Sequence, residues 1–454
     1  MPKLADRLSK VPERVALPMA ASAWIDGAVP LDASKAQPLR DAAAACPAPS
    51  ATMLEEIPVG AQLQSGRCWM FAGLTVLRRQ MKWDTDSDQE SGFELSQSFL
   101  VFYEKFEKMQ AFLMDVIELA GQAENDDLMK YLFRVGPARD GSDWHVFRAL
   151  VLKYGVVPKR VAPDTYHHSN SRQLCAVLNR VTVEMGVELQ RIVNENGRDS
   201  RAVHDALDEK LEQIRALLAS FLGMPLRTVR IGDIDMTPLE YFRTHVEPFY
   251  NLEQKVGLAC NPALPKGSVM TVKHGKNSAC LKKFDSCSPR TMLAWINVDM
   301  DTMQTAVKRS IQELREPVWF GCDVDSAGDF DRSTGLQDLD ILSCVGLSKR
   351  LSRKERIELG LAVSSHNMVF SGYGDGFFRV ENSWGPDCGD SGYVTMSEAW
   401  FREHVYGVVV DKSLVDPSHW FIQESAFGQD SHPGVSLSDP RLVELDPRDL
   451  FACI

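Results

Sequence analysis

The 454-residue chain is 44% hydrophobic and 25% charged, an ordinary composition for a folded protein, with length for two or three domains rather than one small module. A net charge of −12 disfavours a general nucleic-acid binder, no run of about twenty apolar residues offers a membrane-spanning helix, and the opening Met1-Pro2-Lys3-Leu4-Ala5 lacks the apolar core of a secretory signal. Ten cysteines stand singly, with no Cys-x-x-Cys pair and no clustered His ligands, which argues against a zinc site or a disulfide framework and suits a reducing, cytoplasmic setting with neither metal nor cofactor.

In chain order, residues 1 to about 50 are rich in Ala and Pro with weak periodicity, which suits an arm lying over another surface. The stretch Gln62-Leu63-Gln64-Ser65-Gly66-Arg67-Cys68-Trp69 leads into Phe71, Leu74, Leu77 and Met81 at helical spacing, so a helix is predicted with Cys68 in its first turn. Unpaired backbone N–H groups and the positive end of the dipole favour an anion there and lower a thiol pKa. Leu95, Phe99, Phe102, Phe106, Met109 and Leu113 share one face of a second helix. Leu207, Leu211, Ile214, Leu217, Leu218 and Phe221 mark a later stripe ended by Gly223 and Pro225, so most of 165–224 should be helical. From Phe249 to about Trp295 run short Val- and Gly-rich segments with Pro262, Pro265 and Pro289. The nearby Lys273, Lys276, Lys282 and Lys283 read as a solvated face, so nucleic-acid binding is not expected. Met368-Val369-Phe370 and Phe377–Val380 read as strands joined by the glycine-rich turn Gly372–Gly376, a hairpin that would set His366 beside Asn382.

A cysteine heading a helix, a distant histidine and an amide could together build a thiolate nucleophile. The imidazole must reach the sulfur to form a thiolate–imidazolium pair, and a third group must hold the ring in the right tautomer. A lone cysteine at a helix start is more often a small buried core residue. The conjunction of Gln62, Gly66-Arg67-Cys68-Trp69, His366 and Asn382-Ser383-Trp384-Gly385 reverses that reading. These residues resemble the papain-type cysteine peptidases. The resemblance implies Cys68 as nucleophile, His366 as general base and acid, Asn382 as imidazole orienter, Gln62 as oxyanion donor and Trp384 as the indole that shields the Asn–His hydrogen bond. His366 follows Cys68 by 298 residues, about twice the interval in papain itself, and the closer resemblance is to the bleomycin hydrolase and aminopeptidase C family. Phe93–Phe99, Lys153–Pro158, Pro317–Val324, Gly392-Tyr393, Trp400-Phe401 and the tail around Asp446-Pro447 are similar to that family's segments.

The resemblance implies an α+β, papain-like fold with a helical left half and a β-barrel right half, enlarged by insertions. The expected division is an N-terminal arm at 1–55, the left half at 56–164, a helical insertion at 165–248, a hook-like insertion at 249–300, the right half at 301–425 and a C-terminal arm at 426–454 entering the cleft. It further implies an aminopeptidase acting on peptides with a free N-terminus, assembled as a homohexamer. Gly141, Ser142, Trp384 and Ile454 are the expected substrate-binding residues. Three positions depart from the family. Ser142 replaces a glycine, which is expected to narrow or polarise the pocket, and the adjacent Asp143 adds a charge that would tolerate basic residues. Asn367 replaces a small apolar residue, a change expected to alter the pocket floor without touching the triad. A silent papain-fold scaffold, or a hydrolase of non-peptide amides or thiolactones using the same site, remain the alternatives.

Overall fold

The computed structural model describes residues 52–81, 92–121, 126–272, 295–324, 330–331, 335–337, 351–417 and 441–445. The arm at 1–51 and the tail at 446–454, with Ile454, lie outside the described residues.

The first helix, α1 (Cys68–Gln80), starts where the Phe71, Leu74 and Leu77 stripe predicts. Its N-cap Arg67 gives no side-chain cap; the Met70 and Phe71 N–H groups bond the Arg67 carbonyl at 2.9 Å, and those of Cys68 and Trp69 face the sulfur. α2 (Gln97–Leu119) is capped by Ser96, which accepts from the Phe99 N–H. α3 (Asp126–Val135) and α4 (Trp144–Tyr154) follow. Gly73 lets α1 lie against α4, since a Cβ there would stand 2.7 Å from ring atoms of Phe147. α5 (Ser171–Asn196) and α6 (Arg201–Leu222) form the expected helical stretch, with Ile214 and Leu218 fully buried and the turn opened by Gly197 at φ 81°. One large apolar core binds these helices.

The strands form a second layer. β1 (Thr52–Met53) pairs with β10, and β2 (Val229–Ile231) with β3 (Ile234–Met236) makes a separate hairpin before α7 (Pro238–His245). The remaining strands are β4 (Lys255–Ala259), β5 (Val269–Val272), β6 (Trp295–Asn297), β7 (Val318–Cys322), β8 (Phe330–Asp331), β9 (Leu336–Gln337), β10 (His366–Gly374), β11 (Phe377–Glu381), β12 (Tyr393–Ser397), β13 (Val405–Asp411) and β14 (Leu442–Leu445). They run β14-β5-β6-β4-β13-β7-β10-β11-β12-β9-β8 across one sheet. β10 and β11 form the expected hairpin, tightened to a two-residue turn at Asp375 and Gly376, both at positive φ. β4, β5 and β6 fall within 249–300 and belong to the main sheet, β4 pairing along β13. The sheet has its own core, including Phe320, Phe370, Phe378 and Phe401.

Helices and sheet meet at α1, which packs on β7 and β10. Trp319 of β7 donates its Nε1–H to the Trp69 carbonyl at 3.2 Å. At the far end of α1, Glu381 of β11 accepts from Arg78 at 2.9 Å and from Arg79 at 2.6 Å. Tyr393 adds its hydroxyl, accepting from Arg79 and from the Ile57 N–H. The helix that starts at Cys68 is therefore held at both ends by the sheet that carries His366 and Asn382. Among the described residues no helix is long and apolar enough to cross a membrane.

Candidate active site

Cys68, His366, Asn382 and Gln62 converge at this seam, and all four are buried. His366 opens β10 and Asn382 follows directly on β11. His366 Nε2 lies 2.8 Å from Asn382 Oδ1, and the same oxygen accepts the Ser383 N–H at 2.7 Å. An amide oxygen can only accept, so His366 carries a proton on Nε2, which in the neutral ring leaves the lone pair on Nδ1. The indole of Trp384 stacks on the imidazole with centroids 4.7 Å apart. It covers the ring that the His–Asn hydrogen bond orients.

Gln62 is fixed at both ends of its amide. Nε2 donates to the Ser65 carbonyl at 2.7 Å, and Oε1 accepts from the Ser383 hydroxyl at 2.7 Å. That leaves the second N–H of the same nitrogen to point elsewhere. Its backbone N–H also reaches the Ser383 carbonyl at 2.8 Å. Ser65 donates back to the Gln62 carbonyl and accepts from Arg67, whose guanidinium pairs with Asp164 at 2.8 Å. Between these anchors Leu63 adopts the left-handed region at φ 53°, which is strained for a leucine.

The electrostatics at Cys68 run against the sequence expectation. Burial pushes the thiol up to about 11, and the backbone N–H groups of Asn367, Trp69 and Cys68 itself oppose it only in part, with the Asp140 carboxylate adding to the rise. The helix start alone does not make a thiolate at neutral pH. A base has to take the proton. Asn367 is also nearer than expected: its Oδ1 lies 3.6 Å from the Cys68 sulfur, so the substitution touches Cys68 itself.

The opposite wall is the loop at 140–143. Asp140 accepts from the Gly66 N–H at 3.0 Å, from Lys105 at 2.8 Å and from the Ser171 hydroxyl, and these partners hold its carboxyl well below the usual range against the cost of burial. Gly141 donates its N–H to the Gly66 carbonyl at 3.1 Å, and its own carbonyl accepts from Lys108 at 2.7 Å. Both backbone groups of Gly141 thus have partners within the protein, and its φ of 85° is the reason glycine stands there. Ser142 is buried beside it. Asp143 corrects the expectation of a cleft charge: fully buried, it caps α4, accepting from the His145 and Val146 N–H groups at 2.7 and 3.1 Å. Sequence reading missed Ser65, Ser383 and Asp140, whose roles depend on distant partners. It also missed this cap, although an acidic residue directly before the apolar run from Trp144 signals one. Among the described residues no group of three His, Cys, Asp or Glu side chains converges as a metal site.

The sequence model of the Peptidase C1-like family matches residues 31–426. Bleomycin hydrolase of Homo sapiens is 33% identical over 386 residues, covering 79% of this chain and 81% of the relative. Aminopeptidase C of Lactobacillus delbrueckii subsp. lactis is 31% identical over 387 residues, covering 80% and 82%. Among solved structures, PepW from Lactobacillus rhamnosis HN001 aligns with a TM-score of 0.79 at 28% identity, over 93% of this chain and 94% of that one.

Proposed function

Because the chain belongs to the Peptidase C1-like family, we propose that it is a cysteine-type aminopeptidase that removes N-terminal residues from peptides by acyl transfer through Cys68. The observation that carries this reading is the 2.8 Å hydrogen bond from His366 Nε2–H to Asn382 Oδ1, because it turns the basic Nδ1 into the proton acceptor that a buried thiol requires. His366 takes the Cys68 proton, and the thiolate attacks the carbonyl of the first peptide bond. The Cys68 N–H and the remaining N–H of Gln62 Nε2 stabilise the oxyanion. The imidazolium protonates the leaving amine, and the neutral ring then activates water to release the amino acid.

Exopeptidase action rests on the tail. In this reading residues 446–454 occupy the non-primed side of the cleft, and a terminal carboxylate at Ile454 or Cys453 pairs with the substrate's ammonium. Assembly as a hexamer with sites facing an inner chamber, and a cytoplasmic location, belong to the same proposal. A relative named for hydrolysing bleomycin favours a second reading, in which the thiolate opens amide bonds in small molecules that are not peptides.

The test is titration with a thiol-directed epoxide during turnover of aminoacyl fluorogenic substrates, beside Cys68→Ala. One equivalent of epoxide should abolish turnover and the variant should be inactive. Activity surviving in Cys68→Ala would refute the assignment. Sedimentation showing a monomer at micromolar concentration would remove the hexamer.

A further inference from the structure

Asn367 has a position that the proposed mechanism does not use. It lies on β10 opposite Gly321 of β7, 5% exposed, with its carboxamide against the nucleophile's sulfur. Oδ1 accepts from the Cys68 thiol at 3.6 Å, while Nδ2 is buried and has no hydrogen-bond partner among the described residues. A buried amide N–H without an acceptor is a donor in want of one. The two ends of a carboxamide are nearly equal in size, so a half-turn of the group exchanges them in the same space.

The sulfur changes character during the reaction. As a thiol it offers a weak donor that suits Oδ1. As a thiolate it has no proton, and it repels an amide oxygen while attracting an amide N–H. We propose that Asn367 is a further catalytic residue: Oδ1 accepts from Cys68 in the thiol state, and Nδ2–H donates to the sulfur once it becomes a thiolate. The proposal rests on Cys68 being the nucleophile. The step is a proton transfer only. The S–H bond breaks with its electron pair remaining on sulfur, the proton forms a bond to His366 Nδ1, and the carboxamide turns over with no other bond changed.

The site has need of such a donor. Burial pushes the thiol up to about 11, and the backbone N–H groups nearby offset only part of that. An amide stabilises the anion without bringing a positive charge that would repel the imidazolium. It also tempers the sulfur, because a better-stabilised thiolate is a less reactive one.

The experiment measures the rate at which iodoacetamide alkylates Cys68, read on the Cys68 peptide by mass spectrometry, across pH in wild type, Asn367→Leu, Asn367→Ala and Asn367→Asp. Leucine keeps the bulk and removes the donor. The thiolate titration in Asn367→Leu and Asn367→Ala should move up by about one pH unit, leaving about tenfold less thiolate on the rising limb. Asn367→Asp should move it further, because a carboxylate adjoins the anion. If Asn367→Leu loses its circular dichroism spectrum, Asn367→Ala, which only removes atoms, carries the same comparison. Profiles that superimpose on wild type in a folded variant overturn the proposal. Loss of peptidase activity in Cys68→Ala beside unchanged Asn367 profiles would sink this inference alone, whereas activity retained in Cys68→Ala would sink the functional reading beneath it.

Discussion

At the scale of single residues, Gln62 is anchored so that one N–H can meet an oxyanion and nothing else about it needs to move. Gln62→Ala should lower kcat by about 10²–10³ with little change in KM, since the lost bond is made in the transition state. Ser383→Ala frees one end of that amide without removing it, and should cost about tenfold in kcat. Steady-state kinetics on an aminoacyl fluorogenic substrate reads both, and a larger loss in Ser383→Ala than in Gln62→Ala would contradict the anchoring role. Cys68, His366, Asn382 and Gln62 could be proposed from sequence because the chemistry restricts residue type and local order around a candidate nucleophile. Ser65, Ser383 and Asp140 were not, because a hydroxyl or carboxylate that positions a loop has no pattern until its partner, as far as 321 residues away, is known.

At the scale of elements, α1 is positioned by close approach as much as by its apolar stripe. Gly73→Ala gains roughly 1 kcal/mol of helix propensity, yet its methyl would meet the buried Phe147 ring at 2.7 Å, and overpacking costs about 1–3 kcal/mol. Net destabilisation of about 1 kcal/mol is expected in urea unfolding. The loop beneath Gly66 depends on the single helical turn Tyr166–Ser169, where His168 Nδ1 accepts from the Thr165 N–H at 3.0 Å. Burial, then the neighbouring Arg67, hold this imidazole near 4 instead of 6.5, with Asp164 opposing. The unfolded chain therefore binds that proton more tightly. The stability is complete above about pH 6.5 and is lost as pH falls toward 4, on the order of 3 kcal/mol. His168→Gln should flatten the fall in Tm between pH 7 and 4.5; an unaltered fall would show that other groups set it. Helices of 13 to 26 residues carry enough turns for their periodicity to be read. β4, β5 and β6 do not, being three to five residues long and lacking alternation where both faces are buried.

At the scale of the whole molecule, the helical and sheet cores are joined by Glu381, whose carboxylate takes both Arg78 and Arg79 out of solvent. Glu381→Gln leaves two buried guanidinium groups short of their counter-charge, so a loss of about 3 kcal/mol is expected in denaturant midpoint. It should also lower kcat, because Asn382 is the next residue. Removal of residues 446–454 should convert preference for free N-termini into internal cleavage, measured on N-acetylated and free peptides. An unchanged preference would remove the tail from the mechanism. The α+β class was legible through the resemblance to a known family that the motifs carry. The joining of the halves was not, since a carboxylate beneath two arginines looks in sequence like any charged strand end.

The bond between Ser383 and Gln62 also has a meaning in time. Synthesis proceeds at about 5–20 residues per second, and Cys68 is made before His366, Asn382 and the Ser383 that fixes Gln62. For roughly 15–60 s the growing chain carries a thiol with no base, no orienting amide and no fixed oxyanion donor. In the proposed mechanism, a ribosome-bound chain that has not yet reached His366 therefore carries a thiol unable to cut its neighbours.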